Sequence, residues 1–343
     1  MSLAGRATRL PASIVTSAHG LRYYSKMKHA YSNYQTVNII GYPFSIGQPI
    51  DGVHLGPDAM REYGIVQRIK RDAGRKVRDL GNILLDNSRK GEQFGIVKDP
   101  ATVSAASKLL SEKIQSVLED DSLPITIGGD HSLAIGSIHG HTARIDDLCV
   151  LWIDTHADIN TGESTVTGNM HGMPLSILMK ELEKKRIPGF EWAKPCMTAK
   201  DIAYIGLRDV DPEEFKYIED IGIHMATMAD IDHHGMGSVF ERALDTINPR
   251  RDRPLFVTWD IDVFDPSEAP STGTAVRGGL TLREGLHLAE QIAKSGLLVG
   301  FDLVEVNPKI GSQEDVKKTM DTACFIIEAL LGKTRRANVY QKR

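Results

Sequence analysis

Short, almost uniformly apolar runs alternate along the chain with longer segments whose apolar residues return every three or four positions. Runs at 37–40, 77–80, 123–127, 148–153, 202–205, 223–226, 255–259 and 297–303 read as strands. Helical spacing marks Pro57 to Ala73, through Met60, Tyr63, Val66 and Ile69. It marks Ala101 to Glu119 more strongly, through Val103, Leu110, Ile114 and Val117. A further helix opens at Thr281, where Thr281 and Glu284 have the spacing of a capping box, and closes at Gly296; the last runs from Glu314 to Gly332. There is no internal repeat and no linker. Strands apolar on both faces, separated by helices, predict an α/β fold: three-layer α/β/α with a mainly parallel central sheet. Ligands of such sheets bind outside the carboxyl ends of the strands.

Composition narrows the choice of partner. With 343 residues and a net charge of -4, the chain's balance argues against a nucleic-acid binder, which needs a concentrated basic face. Cys149, Cys196 and Cys324 lie far apart without Cys-x-x-Cys spacing, so neither a disulfide framework nor a cysteine zinc site is expected. The most apolar late stretch, Ala323 to Leu331, is interrupted by Glu328, and no run is long enough to span a bilayer. Neither a membrane nor a nucleic acid is an expected partner.

The N-terminus differs in kind. Residues 1–50 hold no Asp or Glu, yet carry Arg6, Arg9, Arg22, Lys26 and Lys28 among several serines. Leu3, Ala7, Leu10 and Ile14 would share one helical face, although Pro11 weakens the helix. That composition is the one found in mitochondrial transit peptides. Residues 1–35 are therefore expected to be a transit peptide and flexible N-terminal segment, with the mitochondrial matrix as destination and the cytoplasm as alternative. Residues 36–332 are then the catalytic domain, and 333–343 a basic C-terminal tail.

Candidate chemistry gathers where three strands end. Asp154, His156 and Asp158 stand at alternate positions after the run 148–153; Asp260 and Asp262 follow the run 255–259; Gly128, Gly129, Asp130, His131 and Ser132 follow the run 123–127. Extended backbone would point residues two apart the same way, so each set is expected to face one pocket. Glycines at 128 and 129 allow close backbone approach, and Ser132 is placed to cap the following helix. A lone Asp-x-His more often caps a helix or satisfies loop amides. Three such clusters at three sheet edges are a different matter: the imidazoles of His131 and His156 and the four carboxylates of Asp154, Asp158, Asp260 and Asp262, packed together, need cations between them to offset their repulsion. Oxygen-rich ligation with few imidazoles favours manganese over tetrahedral zinc, and two such ions would lower the pKa of a shared water.

These segments resemble the metal motifs of the ureohydrolases, the family of arginase, agmatinase and related guanidino hydrolases. The resemblance runs from about Asn38 to Leu331. Asp158 to Thr161, Gly168 to Gly172, Gly206 to Pro212 and Glu305 to Pro308 are similar to arginases in particular. It implies two manganese ions per subunit: His131, Asp154, Asp158 and Asp260 on one, His156 and Asp262 on the other, with Asp154 and Asp260 bridging. It further implies hydrolysis of L-arginine to L-ornithine and urea, by a bridging hydroxide attacking the guanidinium carbon. Beside the ligand Asp158, it makes Glu305 the partner of the guanidinium and His171 the proton shuttle to the leaving amine. Asn160 and Thr167 match positions that bind the α-carboxylate, Asp211 and Glu214 those facing the α-amino group, and Thr274 one near the reacting group. Taken alone, Asp211 and Glu214 equally fit an exposed helix N-terminus.

The chain departs from the arginase pattern in a few places. Thr167 stands where Ser is usual, Gly162 replaces a common Pro, and Trp259, Val263 and Phe264 are bulkier than usual. The resemblance also implies a homotrimer, with Arg335 where a subunit-bridging arginine is expected; Lys333, Arg335 and Arg336 equally suit a solvated basic tail. Alternatives are an agmatinase or other guanidino hydrolase, a non-catalytic amino-acid-binding homologue, and a zinc deacetylase-like hydrolase. The filled ligand set weighs against the last two.

Overall fold

The computed structural model describes residues 34, 36–85, 91–120 and 122–335. The transit-peptide expectation and most of the proposed C-terminal tail lie outside the described residues. The elements are β1 (Thr36–Tyr42), α1 (Gly56–Glu62), α2 (Ile65–Asp72), β2 (Lys76–Asn82), β3 (Gln93–Phe94), β4 (Val97–Lys98), α3 (Pro100–Val117), β5 (Leu123–Gly128), α4 (Ala134–Thr142), β6 (Cys149–Ile153), α5 (Pro174–Leu178) and β7 (Ile202–Leu207). After them come α6 (Pro212–Ile221), β8 (His224–Thr227), α7 (Met228–His234), α8 (Met236–Ile247), β9 (Leu255–Asp260), α9 (Leu282–Ser295), β10 (Leu298–Val304) and α10 (Gln313–Leu330).

The main sheet has eight strands in the order β2-β1-β5-β10-β9-β6-β7-β8, and every pairing in it is parallel. Along β6 and β7, alternate residues feed two separate apolar clusters. In β6, Cys149, Leu151 and Ile153 pack with α2, α8, α9 and α10, while Val150 and Trp152 pack with α3, α4 and α5. The expected three-layer α/β/α arrangement follows from that alternation. The order of strands also positions the site. The chain passes from β5 across to β6, continues outward to β8, then returns to insert β9 and β10 between β6 and β5. Connections leave in opposite senses around these four central strands, and such a switch point opens a crevice at their carboxyl ends.

One predicted helix is interrupted. Pro57 to Ala73 is not continuous but two helices, α1 and α2, because Gly64 takes a left-handed φ of 94° between them. The expected capping box at Thr281 and Glu284 is present, and Gly296 closes α9 with φ 69°. Cys149 and Cys324 are buried free thiols whose burial pushes their pKa up to about 12, and Cys196 is also free. Among the described residues, no helix is long and apolar enough to cross a membrane. Lys333 and Arg335 are held against the body, Lys333 on Glu328 and Asp72, Arg335 on Glu290 at 3.0 Å.

Candidate active site

Asp154 leaves the end of β6 with one oxygen for each side of the crevice. Its Oδ2 accepts the Trp152 indole N–H at 3.0 Å and lies 3.0 Å from His131 Nδ1. Its Oδ1 accepts the His156 N–H at 2.8 Å and lies 3.6 Å from His156 Nδ1. On the His131 side, Asp158 Oδ2 at 3.0 Å and Asp260 Oδ2 at 3.2 Å converge on the same ring nitrogen. On the other side, Asp262 Oδ2 stands 3.1 Å from His156 Nδ1. Two sets result, His131 with Asp154 and Asp158, and Asp154 with His156 and Asp262; within each, the donor atoms lie within 4.8 Å of one another.

Whether these residues suit metal ions is decided by one atom. His131 Nδ1 is buried among three carboxylate oxygens yet forms no well-aligned hydrogen bond among the described residues. Its other nitrogen, Nε2, is 2.9 Å from Thr258 Oγ1, and its ring stacks on Trp152. An imidazole fixed on one nitrogen by a hydroxyl, with the other aimed into a carboxylate cluster, is the geometry of a metal donor with its orienting partner. The electrostatics agree. Burial and the neighbouring Asp154 push the Asp158 carboxyl up to about 6; burial, Asp262 and Asp154 push Asp260 up as well. Asp154 is held low although burial opposes it, because His131 and His156 flank it. So many carboxylates cannot all ionise without cations, and the oxygen-rich set with two imidazoles fits manganese.

Local backbone, not strand alternation, delivers these side chains. Asp158 reaches the His131 side through a left-handed φ of 51°. Asp260 is the last residue of β9; Asp262 lies in the 3-10 turn Ile261–Val263, where its N–H donates to Asp260 Oδ1 at 2.8 Å. The expectation that extended residues two apart would share one pocket is thus replaced by turns that split them between the two sets. Glu305 also has a left-handed φ, 63°. Non-glycine residues persist there only where surroundings over-determine them, and such strain clusters at functional sites. Glu305 Oε1 accepts the His131 N–H at 2.9 Å and lies 3.3 Å from His171 Nδ1. Burial disfavours charge on His171, but Glu305 outweighs it and raises the imidazole pKa.

At the outer end, Asn160 Nδ2 donates to Asp211 Oδ2 at 2.9 Å, and Asn160 Oδ1 accepts from Ser164 Oγ at 2.8 Å. Glu214 is buried, not exposed. Its two oxygens accept the N–H groups of Ile159 at 3.0 Å and Asp211 at 3.1 Å, so it braces the loop before Asn160 against the start of α6. Burial and Asp158 push its carboxyl up to about 8. Thr167 is exposed, its hydroxyl accepting from Asn169 N–H at 3.2 Å, and Thr274 Oγ1 donates to Asp262 Oδ2 at 2.9 Å. Ser132 does not cap the following helix; Asp130 caps the 3-10 turn His131–Leu133 that leads into it, accepting the Ser132 N–H at 3.0 Å and the Gly47 N–H at 2.8 Å. Gly129 allows close approach of the Phe44 main chain, where a Cβ would stand 1.8 Å from a carbonyl oxygen.

Sequence reading missed Thr258, Trp152 and Asp209, whose Oδ2 is 3.6 Å from His156 Nε2. Thr258 and Trp152 each stand two residues before a ligand aspartate, which is the signal that places them on the ligand's face of the strand.

The sequence profile of the Arginase family matches residues 35–332, the span that holds every one of these side chains. The chain belongs to the arginase family. It is 45% identical over 307 residues to Arginase-1 of Bos taurus, covering 89% of this chain and 95% of that protein. It is 43% identical over 339 residues to "Arginase-2, mitochondrial" of Homo sapiens, covering 98% of this chain and 92% of that one. The native structure of arginase from Bacillus caldovelox superposes with a TM-score of 0.79 at 33% identity, covering 88% of this chain and 99% of that one. The arginase fold accounts for the parallel sheet between helical layers, and the chain is a hydrolase of this family.

Proposed function

We propose that this arginase-family hydrolase converts L-arginine to L-ornithine and urea with two manganese ions per subunit. The observation that carries the reading is the division of Asp154 between two ligand sets, with His131 Nδ1 aimed at one and His156 Nδ1 at the other. His131, Asp154, Asp158 and Asp260 would hold one ion; His156 and Asp262, with Asp154 and Asp260, the other. When bound, such a pair supplies a water of lowered pKa as nucleophile near neutral pH.

The chain's own groups do the rest. Glu305, at the end of β10, offers a carboxylate to the planar donors of the guanidinium. His171 keeps Nδ1 on Glu305 and leaves Nε2 to pass a proton to the leaving amine, work suited to an imidazole whose pKa is raised. Asn160 and Thr167 read the α-carboxylate, and Asp211 the α-amino group. Glu214 acts from behind, holding Ile159 and Asp211 in place. Thr274 steadies Asp262. Arg335 is the reading for a homotrimer contact, and analytical ultracentrifugation of Arg335→Ala tests it.

The match to a relative named as mitochondrial covers 98% of this chain, so it includes most of the acid-free segment before Thr36. That supports delivery to the matrix, and unaltered import after deletion of residues 1–24 would rule it out. The activity is tested by urea release from L-arginine and from agmatine, after chelation and again after manganese reloading. Release from arginine alone, restored by manganese, is expected. Preference for agmatine, or full activity in the chelated protein, contradicts the reading.

A further inference from the structure

Asp262 and Thr274 meet through a 2.9 Å hydrogen bond, yet they belong to separate turns that need something to hold them together. Arg208, the residue after β7, stands at that junction. Its main-chain N–H donates to Thr155 O at 3.0 Å, between Asp154 and His156 in sequence. Its side chain donates only to main-chain carbonyls among the described residues. Nη2 donates to Asp262 O at 2.9 Å, to Val276 O at 2.8 Å and to Phe264 O at 3.3 Å, and Nη1 to Val263 O at 3.0 Å. Nε adds a second bond to Val276 O at 3.3 Å. The planar fork of a guanidinium spans these acceptors at once, which an ammonium cannot do. Thr155 Oγ1 also donates to Asp262 O, at 2.7 Å, so the Asp262 carbonyl is gripped from β6 and β7 together. At Gly279 a Cβ would stand 2.5 Å from Arg208 Nη2 and 2.6 Å from Asp265 N, so the loop passes the guanidinium with no space to spare.

We propose that Arg208 is a positioning residue: it locks the turn of Asp262 to the loop of Thr274, and its loss selectively weakens the ion held by His156 and Asp262. The inference rests on the two-ion reading above. Among the described residues, the guanidinium's hydrogen-bond partners include none of His131, Asp158 and Asp260, so the other ion is spared.

The test is manganese titration of the chelated full-length protein by equilibrium dialysis, with electron paramagnetic resonance to distinguish a spin-coupled pair from isolated ions. Wild type is expected to bind two ions and give the coupled spectrum. In Arg208→Gln, one ion should bind as in wild type and the other about tenfold or more weakly, as loss of an outer-shell partner usually costs. At intermediate manganese the variant should show isolated ions, and excess manganese should restore the pair. Arg208→Lys, which keeps the charge without the fork, should shift in the same direction. Unchanged binding of both ions overturns the proposal, and so does equal weakening of both. A wild type that binds only one ion overturns the two-ion reading instead. Should Arg208→Gln fail to fold, Arg208→Lys carries the test alone: the same selective loss supports the proposal, and unchanged affinities overturn it.

Discussion

Asp154→Asn separates the metal-binding role of this residue from any structural one. In the folded protein the carboxylate accepts from Trp152 Nε1 and from His156 N–H. The amide keeps one acceptor and turns a donor toward the other contact, so one buried N–H loses its partner at about 1–3 kcal/mol. Against that cost, the substitution removes the charge that helps push Asp158, Asp260 and Asp262 up. Relief of that crowding offsets the lost bond, and the metal-free variant should melt within a few degrees of wild type. Manganese should then divide the two proteins. An ion present at about 100 times its dissociation constant stabilises by about 2.7 kcal/mol, so two contribute about 5 kcal/mol. With an unfolding entropy of about 2.1 cal/mol/K per residue over roughly 300 residues, that raises Tm by about 8 °C. Asp154→Asn should lose most of this shift, and urea release with it. The assay is thermal melting after chelation, with and without manganese, beside urea production. A variant that keeps the manganese-dependent shift and near-normal turnover refutes the shared role of Asp154.

Other expectations follow from the same geometry. His171→Asn should lower kcat by about 10²–10⁴ with little change in KM, as loss of a general acid does; a variant that changes KM alone would remove His171 from proton transfer. Asn160→Ala should raise KM for arginine roughly 10- to 150-fold, the worth of a hydrogen bond to a charged carboxylate, and leave agmatine nearly untouched; equal losses for both substrates count against the carboxylate-reading role. Burial pushes the Asp302 carboxyl up to about 7 despite its hydrogen bond from Ser137. A folded pKa above the unfolded value means that Asp302 favours the folded state fully only below about pH 4, and that this is lost as pH rises through 7, by up to about 4 kcal/mol. Asp302→Asn should therefore gain stability relative to wild type between pH 5 and pH 8, and a constant difference across that range contradicts the assignment.

How much of this was legible in the sequence depends on how local the determining physics is. The strands of the sheet and the metal-bearing segments stand out because apolar runs ending in Asp and His need no tertiary information. The capping box of Thr281 and Glu284 is equally local. The interruption at Gly64 was hidden because helical spacing continues on both sides of it. Convergence of Asp154, His156 and Asp158 was foreseen, but for the wrong geometric reason: the left-handed turn at Asp158 is imposed by the packed surroundings. Glu214 is the clearest case of a property sequence cannot supply. Acidic residues at a helix start look exposed until Ile159, distant in sequence, donates to the carboxylate and buries it.

The account stands or falls on two cations at the carboxyl ends of β5, β6 and β9. Anomalous diffraction from crystals of the manganese-loaded protein, collected at the manganese edge, tests this most directly. Two peaks should appear, one beside His131 Nδ1 and one beside His156 Nδ1, with Asp154 between them. A single peak, or none within reach of Asp154, would contradict it.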